Sequence, residues 1–460
     1  MSNAERVSRP ADSFLVIARL SAPLIIALLA NAAMAFIDTM LMGMLGVEEL
    51  AGGGLGTAVY SFVYLICIGV LVAVSTTVAY SRGKQDSHAM HQYLLAGQVV
   101  AVVLAVICGL GLWYCVPLLG LLDLPQTSLM YTEDYLQSVV WALWPALAFM
   151  VLRNFAMAMG KSGAILRISL ITAACNYPVS YALMTGWGVL PELGLAGIGY
   201  GTALMSVFMF IAFCLDIYRK EIFRPFKIWK NWSYFRWQTV AELFRLGIPI
   251  GLALAMEAGL FSMAAILAGT LGEVELAAHQ IALQCVTLSF MFPLGISQAL
   301  SIMVGERLGQ KKVAEIGMMT RRAMGLGMGC SLTAAMIFVF VPEFLVDIFL
   351  MHSGDQSVDE VYSVSIKLLF VAAFFQVVDG LQVITMGALR GLQLSMGPTL
   401  LTVMGYWGVG FPAAFWLMSS WSVMGIWSGM GLGLGVTSTM LLIMLYLFLK
   451  RSHTSIFTTQ

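Results

Sequence analysis

Residues 246–309 read LGIPIGLALAMEAGLFSMAAILAGTLGEVELAAHQIALQCVTLSFMFPLGISQALSIMVGERLG: two long apolar runs with a short acidic break between them. Each run is long enough to cross a hydrocarbon core of about 30 Å, which takes about 20 helical residues. Glu257 lies deep inside the first run. A charge at the centre of a bilayer costs about 2.5–3.5 kcal/mol even on insertion scales, so such a residue normally faces a protein interior or a water-filled cavity. Glu257 is therefore the first candidate functional residue.

The rest of the 460-residue chain has the same character, with 60% apolar and 10% charged residues. Soluble domains run near 45–50% and about 25%. Apolar segments of spanning length fall at about 14–42, 53–78, 93–119, 132–158, 164–186, 195–218, 243–270, 277–304, 318–350, 360–388, 396–418 and 423–449. This is an all-α polytopic membrane protein with twelve expected transmembrane helices. The first run is too long for a cleavable signal and is expected to be retained. The seven cysteines form no CxxC pair, so neither a zinc site nor a disulfide framework is expected.

Charge is balanced overall but sorted by side. Basic residues cluster near the N-terminus (Arg6, Arg9, Arg19), at Arg82 and Lys84, at Lys161 and Arg167, along 219–236, from Arg307 to Arg322, at Arg390, and at Lys450 and Arg451. With twelve spans all of these fall on one face. Acidic residues such as Glu48, Glu49, Asp123, Glu273, Glu275, Asp355 and Asp359 occupy the other. The positive-inside rule then makes both termini and the 219–242 linker cytoplasmic. Such basic residues mark topology and lipid contact, and no nucleic-acid partner is expected.

Shifting the chain by 226 residues superposes its halves. Pro23 falls on Pro249, Gly43 on Gly269, Gly46 on Gly272, Glu49 on Glu275 and Gly83 on Gly309. Later, Tyr177-Pro178 matches Phe411-Pro412, and Gly197 and Gly201 match Gly425 and Gly429. Two homologous six-helix lobes are expected, residues 1–218 and 243–460, joined by a linker at 219–242. An even number of spans per lobe gives parallel repeats, an architecture in which transporters place substrate between the halves. Trp and Phe alternating with Lys and Arg make the linker read as an interfacial amphipathic segment.

Glu257 aligns with Asn31, so a polar residue recurs at this point of both lobes. Asn31 and Asp38, seven residues apart, are about 20° off one helical face, which directs Asp38 into its own lobe. Asp379, with Gln376 before it, is the third buried acid, and a weaker register sets it opposite Arg153. Two acids in one cavity repel when ionised and so recruit a proton or a cation. The competing reading has each acid neutralised by Arg153, Lys161 or a polar neighbour, serving only to lock helices. His279, at a span start, is as consistent with a packing hydrogen bond as with proton transfer. The glycine runs at 51–56 and 425–435 lack the Lys-Ser/Thr of a phosphate loop and read as close-packing faces, Gly425 with Gly429 and Gly431 with Gly435. The 31 Met residues and 11% aromatics suit a permissive cavity for flat or cationic molecules. No HExxH, GxSxG or Asp-rich diphosphate motif is present, so an enzyme is not expected.

The segments FIDTMLMGMLG (36–46), ELAAHQIALQ (275–284), FMFPLGISQALSIMVGERLG (290–309), FQVVDGLQ (375–382) and GALRG (387–391), with the repeat, make the chain resemble the multidrug and toxic compound extrusion (MATE) family and its NorM-like bacterial branch. The resemblance implies a monomeric inner-membrane antiporter that expels organic cations against a sodium or proton gradient, with no cofactor. It implies Glu257 and Asp379 as cation-coupling acids, a sodium ion being one occupant, with Gln280, Phe261, Phe375 and Gln376 nearby. It also implies Asp38 as a coupling acid with Asn176 and Asn31 in support. Phe375 stands where many members carry Tyr, which removes one hydroxyl from that set. The alternative within the superfamily is a flippase for a lipid-linked substrate, for which more buried basic residues are expected.

Overall fold

The computed structural model describes residues 14–120, 125–187, 191–226, 232–350 and 356–457. Arg6, Arg9, Asp123, Asp355 and linker residues 227–231 lie outside them. Among the described residues no strand forms. The helices are α1 (Phe14–Leu45), α2 (Val47–Gly83), α3 (Ser87–Trp113), α4 (Val116–Leu119), α5 (Gln126–Ala158), α6 (Gly163–Thr185) and α7 (Gly194–Arg219). After two short 3-10 turns come α8 (Trp237–Leu271), α9 (Glu273–Gly309), α10 (Val313–Phe340), α11 (Pro342–Asp347), α12 (Gln356–Gly391), α13 (Met396–Val403), a π-helical segment (Met404–Gly410) and α14 (Phe411–Phe457). A helix satisfies its own backbone polar groups, which is what lipid demands of a spanning segment.

Ten helical stretches among the described residues are long and apolar enough to span, one of them being Met396–Arg451. That stretch breaks at Ser422, where φ is 51° and ψ −138°, so it supplies two spans. With the 23-residue α6, the expected twelve are present. Some boundaries moved. α3 begins at Ser87 rather than near 93 because Asp86 caps it, its Oδ1 accepting from Ala89 N at 2.9 Å.

The chain divides into two compact units, residues 26–252 and residues 1–25 with 253–460. In the first, α5 packs on α2, α3 and α7, and α6 on α7; in the second, α12 packs on α9, α10 and α14. The chain changes unit inside α1 and inside α8, at 25/26 and 252/253, soon after Pro23 and Pro249. A proline inside a helix removes one backbone bond and favours bending at that point.

The repeat is visible in backbone detail. Gly46 and Gly272 take φ of 155° and 150°, and their carbonyls accept from Leu50 N and Leu276 N. Only glycine adopts such a conformation readily. Gln85 and Lys311 both sit at φ 60° in turns that share three equivalent bonds, all 226 residues apart. The turns after α5 and α12 also share three: Met159 N to Phe155 O, Gly160 N to Met157 O and Lys161 N to Ala156 O recur at 392, 393 and 394. Their offset is 233. The seven-residue slip corrects the weak register, so Asp379 lies opposite Ala146 and Arg153 opposite Met386.

The linker has a buried side and an exposed side. Phe223 and Phe226 are buried, with rings 6.1 and 5.3 Å from that of Phe155. Tyr234 packs edge-on against His88 and His91, and Tyr93 Oη donates to Glu242 Oε2 at 3.0 Å. Trp232 and Trp237 are exposed. The two phenylalanines therefore pack against Phe155 of their own unit, and the two tryptophans are left outside.

Candidate functional site

Two polar clusters are buried, one in each unit. In residues 26–252, Asp38 of α1 is 7% exposed. Its Oδ1 accepts from Asn176 Nδ2 at 2.8 Å and its Oδ2 from Thr202 Oγ1 at 2.9 Å. Tyr135 of α5 lies within electrostatic range. Asn176 is fully buried and its own Oδ1 has no partner. Asn31 is exposed, so the polar position seven residues before Asp38 does not join this cluster. Thr202 and Tyr135 were not foreseen, and nothing in their flanking sequence marks them. Thr202→Val should cost about 1–3 kcal/mol, the penalty for leaving a buried acceptor unpaired. Thermal unfolding of Thr202→Val, Asp38→Asn and the double variant checks this, with a coupling of at least about 0.5 kcal/mol expected for groups in contact.

The second cluster lies in residues 253–460. Asp379 on α12 is 2% exposed with Oδ1 unpartnered, and Gln376, one turn before it, is fully buried with neither amide atom paired. Gln382 Oε1 and Tyr406 Oη are also buried without partners. Glu257 is half-buried and interacts electrostatically with both Asp379 and Arg390. Tyr406 interacts with all three. The expected pair of acids is thus brought together, with two further groups, Arg390 and Tyr406, beside it.

Local sequence explains both additions. Tyr406 belongs to the π-helical MGYWGVG segment, and π-helical turns often occur at functional sites. A Cβ on Gly405 would collide with Thr437 Oγ1, and one on Gly410 would lie 3.2 Å from Gly433 Cα, so these glycines let the segment sink onto α14. Trp407 Nε1 then donates to Met256 O at 3.2 Å, tying the segment to α8 beside Glu257. Arg390 was grouped in the sequence with the basic residues that mark topology. It is 9% exposed, with Nε unpartnered, in the last turn of α12. Gly387 and Gly391 flank it, and a Cβ on either would meet the Ser297 or Ser301 carbonyl oxygen of α9 at 2.6 or 2.5 Å. Small residues four apart on a helix signal such close packing, and that signal was readable in GALRG.

An aromatic wall stands beside the acids. The Phe375 ring is 5.9 Å from Phe261 and 5.4 Å from Trp427, whose Nε1 donates to His279 Nδ1 at 3.1 Å. His279 is therefore a packing hydrogen-bonder. Phe375 and Trp427 also line a groove of about 880 Å³ with Phe374, Val378 and Trp421. Gln280 is exposed on α9. Arg153, in the other unit, is buried beside Tyr64 and Met150, and Lys161 is exposed.

The unpaired Oδ1, two amide oxygens and a phenol are hard oxygen donors of the kind sodium takes, and the same carboxylates can hold a proton. Among the described residues no group of three His, Cys, Asp or Glu is placed to hold a metal ion.

The MatE family model matches residues 23–182 and again 249–416, one match per repeat, and the chain belongs to this family. It is 37% identical over 418 residues to a protein of Pseudomonas syringae pv. tomato described as "Probable multidrug resistance protein NorM", covering 90% of each chain. It is 33% identical to the "Multidrug resistance protein NorM" of Burkholderia vietnamiensis, covering 90% of this chain and 89% of that one. Among solved structures, the eukaryotic MATE transporter AtDTX14 superposes with a TM-score of 0.84 at 18% identity, covering 96% of this chain and 98% of that one. The bent form of the Vibrio cholerae MATE transporter VcmN gives 0.84 at 16%, covering 95% and 97%. Family membership places the chain among transporters rather than enzymes.

Proposed function

We propose that this chain is a multidrug efflux antiporter of the inner membrane, exporting organic cations in exchange for sodium or protons by alternating access of lobes 1–218 and 243–460. The observation that carries the reading is the Glu257/Asp379 cluster, where buried oxygens stand without partners. A buried carboxylate in a membrane protein needs a proton, a cation or a paired base, and a transported ion can supply the first two. Ion entry would neutralise the acids and shift the equilibrium between states, which it can do only by binding one state better than the other. The groove lined by the exposed Phe374 and Trp421 supplies aromatic faces suited to flat cations. Asp38, held by Asn176 and Thr202, is a second proton or cation site.

A lipid-linked flippase would need free buried cations for phosphate. Arg390 is a buried cation, but it faces Glu257. Antiport is the better reading. The test is export of a fluorescent monocationic dye from proteoliposomes with sodium and proton gradients imposed separately. Dye should move under one gradient and not the other. Movement indifferent to both would sink antiport and leave the flippase to be tested.

A further inference from the structure

The seven cysteines form no CxxC pair in sequence, yet folding brings two of them together from 41 residues apart. Cys67 on α2 and Cys108 on α3 are free thiols of the unit 26–252, and Cys67 Sγ donates to Cys108 Sγ at 3.6 Å. The two helices form an antiparallel hairpin whose turn is closed by Gln85 N to Arg82 O and Asp86 N to Ser81 O. A Cβ on Gly97 would lie 3.0 Å from a Val74 methyl, so the helices stay in close contact beyond the turn. The thiol pair lies further along the same contact. A disulfide holds its sulfurs about 2.0 Å apart, so about 1.6 Å separates this contact from a bond.

The two thiols differ in access. Cys67 is fully buried and Cys108 partly exposed, and near Cys108 on the same spanning helix Val106, Ile107 and Leu110 are exposed. An oxidant therefore meets Cys108 first, and it must be one that dissolves in hydrocarbon. Cys115 is also partly exposed, but its Sγ donates to Leu112 O at 3.2 Å.

We propose that Cys67 and Cys108 are an oxidative modification site, a dithiol that uncharged organic hydroperoxides in the bilayer convert to a disulfide. The Cys108 sulfur attacks the terminal peroxide oxygen: an S–O bond forms, the O–O bond breaks, and the thiol proton ends on the departing alkoxide as an alcohol. The Cys67 sulfur then attacks the Cys108 sulfenic acid. An S–S bond forms, the S–O bond breaks, and hydroxide leaves with the Cys67 proton as water. The two sulfurs together give up two electrons, which the peroxide takes. The new bond pins α2 to α3 away from their turn, and closing so long a loop removes entropy from the unfolded chain.

The test treats the full-length protein in proteoliposomes with cumene hydroperoxide, blocks the remaining thiols and maps non-reduced peptides by mass spectrometry. A peptide pair joined through Cys67 and Cys108, lighter by two hydrogens, is expected, with a higher unfolding temperature that a thiol reductant reverses. Cys67→Ser should leave Cys108 as a sulfenic acid that dimedone captures, in severalfold higher yield than in wild type. Cys108→Ser should give neither the link nor a dimedone adduct at Cys67, and Cys115→Ser should form the link as wild type does. The wild-type link needs no variant, so the inference stays testable if one of them misfolds. Absence of the link after exhaustive peroxide treatment overturns the inference. Dimedone capture at Cys67 rather than Cys108 overturns the assigned order of attack.

Discussion

Asp379→Asn and Glu257→Gln are each expected to abolish gradient-driven dye export while the protein stays folded and melts no lower than wild type. Both substitutions conserve shape and remove only a charge. In Asp379 the Oδ1 accepts no hydrogen bond, so the amide breaks none there. The two acids interact with each other, so removing either one relieves like-charge repulsion in a low-dielectric interior. Loss of that repulsion offsets whatever contact the lost carboxylate made. Function should respond oppositely. Typical coupling between two ligands is about 1–3 kcal/mol, or about 5- to 150-fold, and a site that no longer distinguishes its ion contributes none of it. Dye flux in proteoliposomes, with thermal unfolding of the same preparations, separates the outcomes. Loss of folded protein in both variants would assign the acids to helix locking and remove them from the transport cycle.

The spans and the repeat were legible because they are written in length and periodicity. Twenty apolar residues have few other uses, and glycines at Gly46 and Gly272 mark turns that no other residue makes readily. The acids were legible for the complementary reason, since Glu257 and Asp379 are too costly to bury without purpose. Residues whose role depends on a partner far along the chain were not. Arg390 fits the basic clustering of the sequence and looked like the other clustered arginines until the packing of its turn against α9 was seen. Tyr406 gives no warning either, because a π-helical turn has no compositional signature distinct from the surrounding apolar helix. The Asp379–Arg153 register failed on arithmetic: seven extra residues precede the second turn, and pattern matching across a variable loop cannot count them.

The glycine stripes show the same limit and carry the second large prediction. The spacing of Gly425 with Gly429 and of Gly431 with Gly435 marked two faces of α14 as equally suited to close packing. Only one of them is used that way. A Cβ on Gly425 would strike the Leu417 carbonyl, and one on Gly429 the Ala414 backbone, whereas on Gly431 it would meet only the Phe375 ring at 3.8 Å and on Gly435 only a Val378 methyl at 4.0 Å. The first lobe repeats the tight contact, Gly197 lying against Leu183 and Met184 as Gly425 lies against Leu417 and Met418. Backbone cannot move aside as a side-chain end can, so even alanine must separate the helices. Overpacking of this kind costs about 1–3 kcal/mol and sometimes more. Gly425→Ala and Gly429→Ala should therefore lower the yield of folded protein and its unfolding temperature sharply, and the larger Gly429→Leu should prevent folding. Gly431→Ala, two residues along the same helix, should behave as wild type and is compared with them in one detergent melt. If Gly431→Ala destabilises as much as Gly429→Ala, the loss reflects helix α14 at large, and the assignment of the contact face to Gly425 and Gly429 is wrong.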